Sequence, residues 1–347
     1  MTLVYVHHLT GRLLLVAFVL LASTAVATAQ TSELTGFVDA SWVYNTAFPN
    51  GEFNLNEVEV NFLNQASPRT LVRADLEWVA QGEQTDVQVE QAFMSYTAGR
   101  HWTLTLGKFN APIGFEMVDA PDMHQASHAL VYDYGLPSNL VGFSIARPLG
   151  PYFDLLAYGC NGWDRNTKTN GAMTWGGRFG YAREGFLWGF SVISGKEEAI
   201  LEADPRPDLS LGPTFTRTVL DLDVNFSRNG WVLGGEYNRG KVIPARGRER
   251  LWAGFLLMVR REFNEWMGLT ARYDHFDDQD GYAFAPIGGR PQKRQAVTVA
   301  PTFILDEGFK AVAELRMDLS NRDAFVDRDG RRTDRSTTVT CKLSYSF

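Results

Sequence analysis

The feature that most constrains the fold is a two-residue alternation of polar and apolar side chains, which recurs along the chain after residue 33. It is clearest in the last ten residues, where every second side chain from Val339 to the terminal Phe347 is apolar. Successive side chains of a β-strand point to opposite faces, so this alternation predicts strands with one apolar and one polar face. A helical period of 3.6 residues is almost absent, and an all-β fold is therefore expected.

Other segments show the same alternation, at 58–62, 72–78, 173–181, 220–226, 267–273 and 309–319. Each run with its flanks is about ten residues long, the length that a tilted strand needs to cross the hydrocarbon of a bilayer. Aromatic residues form 13% of the chain, and Trp and Tyr cluster near the predicted strand ends. Such clusters are typical of the interfacial girdles of membrane barrels.

The predicted connections alternate between short and long. The short ones lie near 98–100, 148–151, 183–185, 227–230 and 306–308, and the long ones span 109–139, 161–171, 194–213, 240–249, 277–291 and 321–334. Outer-membrane barrels have short periplasmic turns and longer external loops. A soluble β-sandwich would also alternate polar and apolar residues, but the regular order of connections favours a transmembrane, antiparallel, up-and-down β-barrel of about 16 strands.

The N-terminus predicts export from the cytoplasm. Basic and histidine residues precede an apolar run, 13–21, which is followed by Ser23, Thr24 and the small-residue site Ala27–Ala29. This pattern indicates a cleaved signal peptide over 1–29, followed by the barrel over 30–347. The apolar run is shorter than the roughly 20 residues of a membrane-spanning helix, so the bacterial outer membrane is the expected location.

Charge and cysteine content exclude several classes. The net charge of −7 argues against a nucleic-acid-binding surface. Cys160 and Cys341 lie in different predicted strands, and the apolar phase of Cys341 predicts two unpaired, buried thiols rather than a disulfide.

Closure of the barrel follows from its location in lipid. Every backbone N–H and C=O must be paired in lipid, so the last strand is expected to bond to the first, around 34–44. A barrel this wide cannot be filled by its wall side chains and keeps an aqueous lumen.

Residues 89–96 and 104–116, which include Gly107-Lys108-Phe109 and Pro112-x-Gly114-x-Glu116, resemble outer-membrane β-barrel porins. The similarity is to OmpL-like porins and their phosphate-selective relatives, and it extends from about residue 34 to the end. It implies a water-filled channel for passive diffusion of small hydrophilic solutes or ions. It also implies contacts with lipid and lipopolysaccharide, recognition of Phe347 by the barrel-assembly machinery, and association into homotrimers.

The segment 109–139 is expected to be the third external loop and to fold inward as a pore constriction. It carries four candidate constriction acids: Glu116, Asp119, Asp122 and Asp133. Candidate basic residues at lumen phase on the wall are Arg73, Arg178, Arg272 and Arg316. Opposed acids and bases would create a transverse field across the opening. The wall itself carries an excess of acids, which indicates a mild cation preference and argues against phosphate selectivity.

Other chemistries are weaker alternatives. His275 with Asp277 could form part of a catalytic site, and 277–281 and 327–330 resemble fragments of calcium loops without the terminal Glu. His124 and His128 are spaced for a metal only if their segment is helical. We therefore predict no enzyme, cofactor or metal site. A substrate-selective channel that recognises solutes through its external loops, and a barrel-anchored enzyme or adhesin, remain alternatives.

Overall fold

A computed structural model describes residues 31–81, 84–168, 170–198, 214–284 and 286–347. The predicted signal peptide, 1–29, lies outside these residues. The strands are β1 (Thr31–Asn45), β2 (Phe48–Ser67), β3 (Thr70–Gln81), β4 (Gln84–Ala98), β5 (Trp102–Asn110), β6 (Asn139–Leu149), β7 (Phe153–Cys160), β8 (Thr174–Arg183), β9 (Phe186–Glu198), β10 (Thr214–Arg228), β11 (Trp231–Pro244), β12 (Arg250–Glu262), β13 (Met267–Asp277), β14 (Lys293–Asp306), β15 (Phe309–Ser320), β16 (Phe325–Val326), β17 (Arg332–Thr333) and β18 (Arg335–Ser346). The helix α1 spans Leu130–Gly135.

Sixteen of these strands form a closed antiparallel barrel in which each strand pairs with its neighbours in sequence, and β18 pairs with both β15 and β1. The prediction of about 16 strands and of closure between first and last strand is confirmed. At the seam, the amide of Gly36 donates to the carbonyl of Phe347 (3.1 Å) and the amide of Phe347 donates back to Gly36 (3.0 Å). A Cβ atom at position 36 would clash with the backbone carbonyl oxygen of Glu59 on β2 and would lie 2.8 Å from the Phe347 ring, so this close approach requires glycine.

The two faces of the wall follow the alternation of the sequence. On β10, Leu220 and Leu222 are exposed on the outer surface, whereas Asp221 and Asp223 are buried on the inner side. The two leucines face lipid, and the two aspartates lie inside the barrel. Both cysteines are free. Cys160 is buried as expected, but Cys341 is exposed, because the apolar phase of β18 points to lipid rather than to a core.

The connections have the predicted order, with two differences. The strands β9 and β11 continue to Glu198 and Pro244, so the loops expected from 194 and 240 begin later. Residues 199–213 of the first of these loops lie outside the described part. The last external loop contains the small hairpin of β16 and β17. Among the described residues, no helix has the length and hydropathy to cross a bilayer.

Candidate functional site

One half of the inner wall carries an apolar patch among its charged side chains, which departs from the polar interior of a simple porin-like wall. Strands β10 to β14 turn large or apolar side chains inward: Val219, Trp252, Leu256, Met258, Phe276 and Ala296. The loop 111–138 and its helix α1 cover this surface with Leu130, Val131 and Leu136, all buried in the same cluster. The hydrophobic effect therefore holds the loop against this half of the wall, inside the barrel.

An ion pair in the same region joins the loop to the wall. Glu116 of the loop lies 2.8 Å from Arg272 of β13, and both side chains are almost fully buried. Arg272 also pairs with Asp274 at 2.9 Å. The second oxygen of Glu116 accepts a hydrogen bond from the amide of Ala129 (2.6 Å), just before α1. Glu116 and Arg272 are thus an internal anchor of the loop, and neither side chain faces water.

Wall side chains also hold the loop through its backbone. Arg272 donates to the carbonyl of Ser127 (2.7 Å), and Arg316 of β15 donates to that of His128 (2.7 Å). Glu314 accepts from the amide of Ala126 (2.8 Å). Lys310 donates to the carbonyl of Pro121 (2.9 Å). The extended loop backbone would otherwise leave these groups unpaired inside the protein, so each bond removes a desolvation cost.

The first part of the loop is fixed in the same way by acids of the wall. Asp221 accepts from the amide of Gly114 (3.2 Å), and Glu236 accepts from the amide of Phe115 (2.8 Å). Two wall carboxylates that the sequence indicated only as solvated lumen charges are therefore hydrogen-bond acceptors for the loop.

Burial and neighbouring charges shift the titration of the loop side chains. Burial alone would raise the pKa of Glu116, but the Arg272 charge and the His128 imidazole, whose Nδ1 lies 3.5 Å from the carboxylate, outweigh it and lower this pKa to about 2. Burial, with the nearby charges of Arg260 and Lys310, lowers the pKa of His124 to about 4. Glu116 is therefore charged and His124 neutral at neutral pH.

The remaining predicted site residues make no ion pair with Glu116 or Arg272 within the described part of the chain. Arg73 pairs with Asp75 of its own strand at 2.7 Å, and Arg178 contacts Asp223 of β10 at 2.8 Å. Asp122 and Asp133 are exposed on the loop. Of the four predicted acids, the described structure brings only Glu116 into direct contact with a predicted base.

Asp119 lies among acids, and the charge of the predicted wall base Arg73 also acts on it. Its carboxylate lies within 4.8 Å of those of Glu59 and Glu90. Burial, followed by the charge of Asp122, raises the pKa of Asp119 above its usual range. The predicted opposition of loop acids and wall bases is therefore replaced at this point by a concentration of negative charge between the loop and strands β2 to β4.

Several side chains that the sequence suggested for a catalytic, calcium or metal site have structural partners instead. Asp278 accepts hydrogen bonds from the amides of residues 282–284, and Asp327 from those of residues 329 and 331. His128 stacks on Tyr132 with ring centroids 4.0 Å apart. Asp277 pairs with Lys293 at 2.7 Å. The absence of an enzyme or a cofactor stays a prediction.

Sequence reasoning missed the apolar inner wall and the loop contacts of Lys310 and Glu314. A signal for the wall exists in β12, whose sequence LWAGFLLMV is apolar in both phases. A strand that is apolar on both faces has lipid on one side and protein on the other. Because sixteen strands enclose more space than wall side chains fill, a loop fixed to one half of the wall narrows the lumen towards the other half.

Comparison with known proteins agrees with this architecture. A family model described as "Putative beta-barrel porin-2, OmpL-like" matches residues 32–347. No curated protein matches the sequence significantly.

Solved structures with a similar fold include an anion-selective porin from Comamonas acidovorans, at 12% identity and a TM-score of 0.68, with 92% of this chain and 100% of that chain covered. The outer membrane channel DcaP of Acinetobacter baumannii is similar at 13% identity and a TM-score of 0.66, over 92% and 99% of the two chains. The in-vitro folded OmpT of Vibrio cholerae, in a trimer form, has 8% identity and a TM-score of 0.66, over 92% and 100%. At these identities the likeness concerns the fold.

The family match covers nearly all of the described chain, and the closed barrel has a lipid-facing apolar surface and an internal loop. The protein belongs to the OmpL-like β-barrel porin family and is a channel of the bacterial outer membrane.

Proposed function

We propose that this porin conducts small hydrophilic solutes and ions by passive diffusion, with a weak preference for cations and no chemical step. The aperture lies beside the contact that Asp119 of the loop makes with the wall of strands β2 to β4. The observation that carries the proposal is the position of Asp119, whose carboxylate stands among those of Glu59 and Glu90 on the far side of the loop from its anchor. Negative charge beside a narrow, water-filled passage attracts cations and repels anions.

The charge balance on the two sides of the loop supports this selectivity. The bases Arg272 and Arg316 are turned to the loop backbone and are paired with carboxylates. On the opposite wall, Arg73 is the predicted base and is itself paired with Asp75. The acids there outnumber the bases, so the ionised fraction of these acids makes the field at the passage negative.

A charge reversal in planar bilayers tests the proposal. The wild-type channel is expected to be ohmic and to show a reversal potential of the cation-selective sign in a KCl gradient. The variant Asp119→Lys/Asp122→Lys should move this potential towards anion selectivity. Asp306→Lys, in the turn at 306–308, is the matched control and should leave it unchanged. Equal reversal potentials in the wild type and the double variant would place the loop tip outside the conduction path.

We also propose a homotrimer in contact with outer-membrane lipid and lipopolysaccharide, inserted by the barrel-assembly machinery through Phe347. The trimer form of the similar Vibrio cholerae protein supports the first part, and the exposed aromatic terminus supports the last. Sedimentation in detergent separates a trimer from a monomer, and a monomeric species at all concentrations would contradict the assembly.

A further inference from the structure

A cluster of five carboxylates lies where the loop tip meets the wall, and the channel function does not explain its construction. Glu57, Glu59 and Glu77 have carboxylate oxygens within 4.8 Å of one another, and so do Glu59, Glu90 and Asp119. Glu59 is common to both sets. We call these five residues the acidic cluster.

The strand registers bring the wall members together. Glu59 of β2 is directly opposite Glu77 of β3, with both side chains on the inner face. Glu90 joins the cluster because of a β-bulge in β4. The pairing of β3 with β4 shifts between Asp75 and Leu76, which leaves Glu90 as an extra residue. Such a bulge re-aims a side chain and is frequent at functional sites. Glu90 and the next residue, Gln91, are both buried as a result.

The two central carboxylates have no hydrogen-bond donor of ordinary geometry among the described residues. Glu59 is 0% and Glu90 is 3% exposed. The two carboxylates interact with each other, and Glu59 also interacts with the Asn61 amide, but none of their four oxygens accepts a hydrogen bond of full geometry from the described residues. Neighbouring polar groups are satisfied differently: Gln91 donates to Asp75 at 2.7 Å, and Arg73 is also bound to Asp75. A buried carboxylate without a partner is costly, and here two such groups stand beside three further acids.

An additional oxygen belongs to the same place. Asn61, on the inner face of β2 two residues after Glu59, interacts with Glu59, and its buried amide oxygen is also unpaired. The cluster therefore presents acceptor oxygens from three strands and a loop, and neither a sulfur nor a histidine ligand. This donor set is suited to a hard cation rather than to zinc or copper.

We propose that the acidic cluster binds one Ca²⁺ ion, with Glu59, Glu90 and Asp119 as its central ligands. Ca²⁺ accepts six to eight oxygens in irregular geometry, whereas Mg²⁺ requires a regular octahedron and keeps several waters. A ligand from the loop and ligands from β2 and β4 would meet at one ion. The ion thus joins the loop tip to the wall opposite the Arg272 anchor, and the loop is held on both sides of the lumen.

Titration calorimetry of the detergent-solubilised, EDTA-treated barrel with CaCl2 tests the site. We expect one saturable Ca²⁺ site per chain, a higher melting temperature with Ca²⁺, and weaker competition by Mg²⁺. Glu59→Gln/Glu90→Gln should weaken Ca²⁺ binding at least about tenfold. Without Ca²⁺ the same variant should melt above the wild type, since repulsion between the carboxylates is removed.

Glu52→Gln is the matched control, because Glu52 is an exposed acid on the same strand and should leave Ca²⁺ binding unchanged. If the double variant does not fold, Asp119→Asn at the loop tip replaces it, with the same expected loss. Absence of saturable Ca²⁺ heat, or equal binding by wild type and variants, would overturn the proposal. This result is expected if the carboxylates of the acidic cluster only share protons and bind no Ca²⁺ ion. Since calorimetry measures no current, failure here leaves the test of ion conduction unaffected.

Discussion

At the residue scale, the loop depends on a few charges that are buried inside a membrane barrel. Glu116 and Arg272 satisfy each other in the half of the wall that carries the apolar patch, and the guanidinium also reaches the loop backbone. A buried pair contributes little net stability relative to apolar residues of the same size, but removal of one partner leaves a buried charge uncompensated. The pair therefore specifies where the loop lies.

This asymmetry makes a prediction for the anchor. Glu116→Gln and Arg272→Met should each lower the free energy of unfolding by about 3–5 kcal/mol, and the double variant by less than the sum. Urea unfolding of the barrel in vesicles measures the three values. Arg331→Met, on an exposed arginine of the last external loop, is the control. Strictly additive losses would show that the two side chains do not act as a pair.

The buried imidazole of His124 predicts a dependence on pH. Its pKa falls from the usual value of 6.5 to about 4 in the folded protein, so the unfolded chain binds the proton more readily. The associated stability is present above pH 6.5 and is lost as the pH falls towards 4. Between pH 7 and pH 5 the wild type should lose about 1–2 kcal/mol more than His124→Gln.

Unfolding in urea at several pH values measures this difference. The pKa of Glu116 is about 2, so the loss from that carboxylate begins only below its ordinary pKa and outside this window. His101→Gln, in an exposed turn, should retain the wild-type slope. Parallel slopes for wild type and His124→Gln would contradict the assignment.

At the element scale, each strand separates two solvents. Outward side chains of β10 contact lipid, and inward ones contact the loop or water. A charged substitution therefore destabilises the barrel at an outward position and is tolerated at the neighbouring inward position. A bulge interrupts this alternation, and the one in β4 turns Glu90 and Gln91 to the same side. A single extra residue thereby adds a carboxylate to the interior.

A charge scan of β10 tests the orientation of the wall. Leu222→Arg, near the middle of the strand on the outer face, should cost about 2–4 kcal/mol of stability in lipid vesicles. Asn225→Arg, on the inner face of the same strand, should cost much less because water and polar groups receive the charge. Equal costs at the two positions would be inconsistent with the proposed lipid-facing phase.

At the scale of the whole molecule, the barrel and the loop are parts of one core. The inward residues Trp252, Leu256 and Phe276 are fully buried under the internal loop, together with Tyr282 and Phe284 of the connection after β13. In a barrel whose inner wall is polar throughout, a loop can be removed with little loss. Here its removal exposes apolar surface to water inside the lumen.

Replacement of residues 112–137 by a short Gly-Ser linker should therefore lower the melting temperature and raise the single-channel conductance. Replacement of residues 324–333, which contain the external hairpin of β16 and β17, is the control and should change neither strongly. Calorimetry and bilayer recording measure the two properties. An unchanged melting temperature would mean that the apolar inner wall does not need the loop.

The sequence by itself determined the barrel. Alternation fixes which side chains face lipid, strand length follows from bilayer thickness, and the need to pair every backbone group fixes closure between β18 and β1. Each of these constraints is local or is imposed by the lipid, so each can be inferred from the sequence. The segment that forms the internal loop was also identified, by its length and its acids.

Only the tertiary structure decided what the charges do. Glu116 and Asp119 are three residues apart in the same loop, yet one is neutralised by Arg272 and the other stands among acids. The outcome depends on which strand each side chain meets across the lumen, and on a bulge that shifts β4 by one residue. Contacts between distant parts of the chain set the local field, and no periodicity of the sequence contains that information.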